Sequence, residues 1–124
     1  RSLLMNYTSY YAKLNKVETV AVPISISLSI PMGVIIKSYK KLAPSWSILS
    51  EYKEKHDDAL YTERFKKEIL GVLDTNEVAK ELTTLADGKP FCLMCYEKSG
   101  SFCHRNIVAE WLRNAGVEIK ELTV

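Results

Sequence analysis

Residues 90–122 read PFCLMCYEKSGSFCHRNIVAEWLRNAGVEIKEL, and the fold turns on how this stretch is divided. Pro90 introduces Phe91 to Tyr96, apolar on both alternating faces, as expected of a central strand in a parallel sheet covered on both sides. A polar loop, Glu97 to Phe102, leads to a helical pattern from about Cys103 to Ala115, with Ile107, Val108, Trp111, Leu112 and Ala115 on one stripe. Gly116 ends that helix and admits a last strand, Val117 to Leu122. Strand, helix and strand within about thirty residues form a βαβ unit, whose two strands must run parallel.

The chain upstream is compatible with such a sheet. Leu3, Leu4 and Met5 lead into Asn6-Tyr7-Thr8-Ser9, a β-prone run with Thr8 and Ser9 at its carboxyl end. Thr19 to Ser27 alternates Val20, Val22, Ile24 and Ile26 with smaller residues; Pro23 removes one donor and predicts an edge strand or a bulge. Pro31 to Pro44 has breakers at both ends and no clean period, so it reads as a loop. Ser45 caps a helix with Trp46, Leu49 and Tyr52 on one face, fading at His56-Asp57-Asp58. A second helix, about Asp58 to Leu73, puts Phe65, Ile69, Val72 and Leu73 on a stripe. A third begins at Asp74 or Thr75 and buries Val78, Leu82 and Leu85 before Gly88. The order predicts one small layered α/β domain over residues 1–124, with a mostly parallel sheet of about four strands flanked by helices.

Composition narrows the function classes. At 124 residues, 47% hydrophobic and 26% charged, the chain has the makeup of one folded domain rather than a disordered segment. A formal charge of +2 provides no whole-molecule field, so any attraction to nucleic acid must come from a local patch. The longest mainly apolar run, Val20 to Ile36, is broken by two prolines, a glycine and three serines, and predicts no membrane span. The N-terminal residues show no secretory pattern, and the three cysteines crowd into residues 92 to 103 rather than forming a spaced framework. A cytoplasmic location and reduced thiols are the expectation.

In open α/β sheets, ligands gather outside the carboxyl ends of strands. The loop between Cys95 and Arg105 sits at such an end. His104 lies four residues before Val108 and seven before Trp111, so it projects from the buried face of the helix at its first turn. Cys103 begins that turn. A helix N-terminus carries roughly half a positive charge, which with Arg105 and Lys98 favours an anion and would lower a thiol pKa. Glu97 is placed either to orient His104 or Arg105 or to act as a base.

Cys103, His104 and Glu97 are therefore the candidates for chemistry, and Arg105, Lys98, Cys95, Thr8 and Ser9 for ligand binding. The expected ligand is a nucleotide, a nucleic acid or another anion; Tyr7, Tyr10, Tyr11 and Lys37, Lys40, Lys41 offer stacking and phosphate contacts. The alternative is a non-catalytic binding or interaction module in which the same Cys-Glu-His-Arg cluster fixes loop geometry.

Familiar motifs are absent. A zinc knuckle puts both cysteines of its CxxC in a turn, whereas Cys92 and Cys95 of one strand point to opposite faces, so no metal site is expected. The arginine that a cysteine phosphatase needs six residues after its nucleophile is Ser101 when counted from Cys95. There is no Gly-Lys-Ser/Thr phosphate loop and no Gly-x-Ser-x-Gly elbow, and no cofactor is expected.

The run Leu93-Met94-Cys95-Tyr96-Glu97-Lys98, a short gap, then Cys103-His104-Arg105 and Ile107-Val108-Ala109-Glu110-Trp111-Leu112 resembles the signature of domain-of-unknown-function family 488, the YeaO-like proteins. Tyr7-Thr8-Ser9-Tyr10, Lys41-Leu42-Ala43-Pro44-Ser45 and Tyr61-Thr62 to Phe65 resemble its shorter variants. The resemblance implies a compact α/β fold and a polar site at Cys95, Glu97, Lys98, Cys103, His104 and Arg105, with Thr8 and Ser9 at the end of the first strand. Longer members tend to carry Asp-x-Arg at the end of the second strand. Here the sequence is Ile24-Ser25-Ile26-Ser27-Leu28-Ser29, without that acid and that cation.

Overall fold

A computed structural model of the protein describes residues 4–98 and 101–123; Leu3 of the first predicted strand lies outside them. The elements in chain order are β1 (Asn6–Tyr10), α1 (Leu14–Val17), β2 (Val22–Ser25), β3 (Lys37–Ser38), α2 (Trp46–Lys55), α3 (Asp58–Arg64), α4 (Thr75–Leu85), β4 (Phe91–Cys95), α5 (His104–Asn114) and β5 (Ile119–Glu121). The five strands form one sheet in the order β3-β2-β4-β1-β5, with every neighbouring pair parallel. The fold is α/β.

Every residue of β4 is buried, which is why its sequence is apolar on both faces. Leu93 pairs with Thr8 of β1 on one side and Ile24 of β2 on the other. Phe91 and Leu93 face the larger core, where Ile48, Phe65, Val78, Leu82, Val108 and Leu112 of the helical side meet Ile24 and Ile26. Cys92 and Met94 face the other way and pack on Val17 of α1. Among the described residues the two faces are thus unequally covered, by four α-helices on one side and one short α-helix on the other.

The helix predictions hold where capping and period agree. Ser45 accepts from Ile48 N at 3.2 Å, and Asp74 from Asn76 N at 3.0 Å. Trp46, however, is exposed, with Lys53 over its ring, and Ile48 takes the buried position instead. The predicted stripe to Val72 also shifts. After Arg64 the chain widens into a π-turn over Phe65–Ile69, and Leu70 N bonds Phe65 O. That extra residue rotates the next turn of the chain, so Tyr61, Phe65 and Leu70 are buried and Val72 is exposed.

The sheet has five strands where about four were expected. The extra one, β3, has two residues inside the segment that reads as a loop, too short to show a period. It also makes β2 internal despite Pro23. Val22 N and Ile26 N donate toward β4, to Pro90 O and Met94 O, so by alternation Pro23 turns its missing donor toward β3, which pairs only Ile24 and Ser25. The proline therefore sits on a locally open edge.

The chain leaves neighbouring β2 and β4 in opposite directions: from β2 outward to β3, and from β4 through α5 across β1 to β5. A crevice between diverging connections is where open sheets bind ligands.

Leu93→Ala, at the centre of the buried strand, should lower stability by about 2–5 kcal/mol, and Val72→Ala on the exposed turn by less than about 0.5 kcal/mol. Urea unfolding midpoints of the two variants check both.

Candidate functional site

The crevice holds a cavity of about 330 Å³. Ser27, Leu28 and Ser29, which come after β2 in the chain, form one side, and Cys95, Tyr96 and Glu97, at and after the end of β4, form the other. Cys103 and His104 close it at the start of α5, while Tyr52, Tyr61 and Phe102 wall it from the helical side. Phe102 stacks on Tyr52 with centroids 5.3 Å apart and meets Tyr61 edge-on at 5.1 Å.

His104 is buried, and its Nε2 lies 2.7 Å from Ile26 O. A carbonyl only accepts, so Nε2 carries the proton and Nδ1 keeps a lone pair. That lone pair lies 3.9 Å from Cys103 Sγ. Burial pulls the His104 pKa down to about 4, the bond to Ile26 opposes this in part, and nearby Arg105 lowers it further. The imidazole is therefore neutral at physiological pH.

Arg105 has no exposed surface and is held from three directions. Its Nε and Nη2 donate to the two carboxylate oxygens of Glu121 at 3.1 and 2.9 Å. Nη1 donates to Glu97 O at 2.5 Å and Cys95 Sγ at 3.1 Å, and the guanidinium lies over the Tyr10 ring. Thr8 Oγ1 donates to the same Glu121 at 2.5 Å. In this arrangement Arg105 is turned inward as a tie between elements, whereas its position at the helix start predicts a side chain aimed at an anion.

The Cys95 and Cys103 sulfurs meet at disulfide distance, where the sequence predicts reduced thiols. Crowding in sequence argues against a spaced framework, but it does not prevent a local bridge. The last residue of β4 lies against the N-cap of α5. Cys92 is free and buried on the opposite sheet face, where desolvation pushes its thiol pKa far up. It is packing material, and it stands apart from the other two.

Cys95, Glu97, Cys103 and His104 thus line one cavity, and Arg105 and Thr8 brace it from behind. Lys98 is exposed on the loop beyond Glu97. Ser9 is buried but does not line the cavity, and its hydroxyl has no partner among the described residues. Glu97 orients neither His104 nor Arg105 through its carboxylate; only its carbonyl touches Arg105. The carboxylate instead lies near Tyr52 and Tyr61, helping to raise their phenol pKa values. That of Tyr61 is raised mainly by burial, and that of Tyr52, at about 12, mainly by its hydrogen bond to Asp58.

Several contributors are not evident from the sequence pattern. Glu121 lies two residues after buried Ile119 and so on the same face of β5, and an acid on the inner face of a strand is a legible sign of a buried cation nearby. The walls Tyr61 and Phe102 and the hydroxyls of Ser27 and Ser29 carry no such sign. The Tyr11 hydroxyl bonds those of Ser25 and Ser27 at 2.7 and 2.5 Å.

Fold and site together define a parallel α/β domain with a Cys-His corner in a cavity at its switch point. The sequence model DUF488-N3a, described as the active DUF488-N3 subclade, matches residues 16–116, and the chain belongs to this family. Neither the curated proteins nor the solved structures provide a match. Among the described residues, no helix is long and apolar enough to cross a membrane.

Arg105→Ala should cost about 3–5 kcal/mol, because it removes a fully buried guanidinium that ties Glu121, the Glu97 carbonyl and Cys95 together, whereas Glu97→Gln at the exposed rim should change stability by less than about 0.5 kcal/mol. Thermal and urea melts of both variants check this contrast.

His104 also predicts a pH dependence. Its folded pKa lies below the unfolded value, so the unfolded chain binds the extra proton. Stability is complete above about pH 6.5 and falls toward pH 4 by up to about 1.4 kcal/mol per pH unit. Urea midpoints between pH 5 and 7.5 should show this slope in the wild type and a flatter line in His104→Gln.

Proposed function

We propose that the protein is an enzyme acting on a small, planar, anionic molecule of the nucleotide class, bound in the switch-point cavity. The observation that carries this reading is the coincidence, in one crevice, of aromatic walls with the Cys103–His104 corner. A volume of about 330 Å³ lies at the lower end of the range for small-molecule sites, suiting a mononucleotide better than a dinucleotide.

Each wall has a role in this reading. Tyr52 and Phe102 stack against the planar part of the ligand. Tyr61, kept protonated by burial and without a hydrogen-bond partner among the described residues, donates to a ring acceptor. The anionic part lies toward Lys98 and the start of α5, whose N-cap Cys103 makes no side-chain cap bond and leaves backbone N–H groups available. Arg105 supports this end from behind. His104 offers a neutral nitrogen with its lone pair toward Cys103, and Glu97 offers a carboxylate on the same cavity for proton transfer. Description of the matching subclade as active supports catalysis over a purely structural cluster.

The test is a melting-temperature screen against nucleoside monophosphates, free nucleosides and inorganic phosphate. A monophosphate at a hundredfold excess over its Kd stabilises the native state by about 2.7 kcal/mol. The wild type should respond to at least one monophosphate more than to phosphate alone. Tyr52→Ala should bind it roughly tenfold or more weakly, given about 1–3 kcal/mol per stacked base. No response from the wild type to any nucleotide or nucleoside sinks the reading.

A further inference from the structure

We infer that, with its two cysteines reduced, the corner formed by Cys95, Cys103 and His104 is a zinc site with one coordination position open to the cavity. Among the described residues these three side chains converge as a potential metal-binding group, with one ligand atom from each lying within 4.8 Å of the others. The inference rests on the reading above in treating this corner as the reactive centre, and specifies how it acts: through an ion, with the cysteines and histidine as its ligands.

Three features beyond proximity support an ion here. The first is the fixed tautomer of His104. By donating from Nε2 to Ile26 O, the ring leaves Nδ1 as the available donor atom, 3.9 Å from Cys103 Sγ. Metal-bound histidines are typically oriented in this way by a carbonyl on the far nitrogen. Bond lengths of about 2.0–2.3 Å in a tetrahedral zinc site place neighbouring ligand atoms roughly 3.5 Å apart, so a small rotation of the Cys103 side chain suffices.

The second is charge. Arg105 donates to Cys95 Sγ at 3.1 Å, a contact that favours the thiolate, and Cys103 stands at the positive end of α5. Two thiolates neutralise one divalent zinc, and Arg105 remains balanced by Glu121, so the buried corner holds no excess charge. The third is access. All three residues line the cavity, as does Glu97. Two cysteines, one histidine and an open fourth position make a donor set used by catalytic zinc, in which a bound water becomes a nucleophile near neutral pH. Glu97 is placed to take the proton of such a water.

The bridge must first open. A small dithiol reductant transfers two electrons and two protons to the Cys95–Cys103 disulfide, giving two thiols and its own cyclic disulfide. Zinc then displaces the two thiol protons to solvent as it binds. The same residues therefore exist either as a metal-free disulfide or as a metal-binding pair of thiolates.

The decisive experiment titrates dithiol-reduced, metal-free full chain with Co²⁺ and then Zn²⁺, reading the spectrum and the bound-metal stoichiometry. The expected result is one cobalt per chain, with a thiolate charge-transfer band and intense tetrahedral d–d bands that zinc abolishes. Cys95→Ser, Cys103→Ser and His104→Gln should each weaken binding at least tenfold; Cys92→Ala should not. The unreduced disulfide form should bind neither metal at this stoichiometry.

Absence of the thiolate band in the reduced wild type overturns the inference whether or not any variant folds. So does cobalt binding that survives both serine variants. Nucleoside monophosphate binding is measured on the same metal-free preparation. Nucleotide binding without metal binding removes this inference alone, and metal binding without nucleotide binding removes the proposed substrate class alone.

Discussion

Arg105 is a full charge with no exposed surface, and the carboxyl edge of the sheet is arranged around answering it. Glu121 of β5 takes two of its donors, the Glu97 carbonyl and the Cys95 sulfur take others, and Tyr10 of β1 supplies a ring face. A buried guanidinium tolerates little displacement, because each lost partner leaves desolvated charge behind. One side chain thereby fixes the start of α5 against β4, β1 and β5, and with it the direction from which Cys103 and His104 reach the cavity.

His104 combines two roles in the same way. Its bond to the Ile26 carbonyl satisfies a polar group that would otherwise be buried unpaired, yet it also selects the tautomer and aims the remaining lone pair at the sulfurs. A structural requirement and a chemical property are thus set by one contact. Ile26 itself extends β2 by bonding Met94 O, so the orientation of the imidazole is anchored to the backbone of the two strands whose outgoing connections diverge.

The central strand and the βαβ unit were legible because burial on both faces leaves an unmistakable mark: five successive apolar residues bounded by Pro90 and a polar loop. Helix ends were legible at Ser45 and Asp74, where a side chain substitutes for a missing backbone partner. Two features left no mark. A two-residue strand such as β3 has no period, and a π-turn after Arg64 changes which residues face inward without changing their type. At the site, Cys95, Glu97, Cys103 and His104 were readable from their spacing around a strand-to-helix junction. Tyr61 and Phe102 were not, since an aromatic residue on an inner helix face or in a loop looks the same whether it fills core or walls a cavity.

By itself the sequence determined that a parallel α/β sheet forms and that a polar loop stands at the carboxyl end of its central strand, because local period, breakers and caps act over a few residues. Tertiary structure decided which partners those polar residues find. The ion pair between Arg105 and Glu121, the bond from His104 to Ile26 O and the meeting of Cys95 with Cys103 all depend on strand order and on the path of a loop. Contacts of that kind leave no periodic trace in the chain, since they are set by how distant segments pack once the sheet has closed.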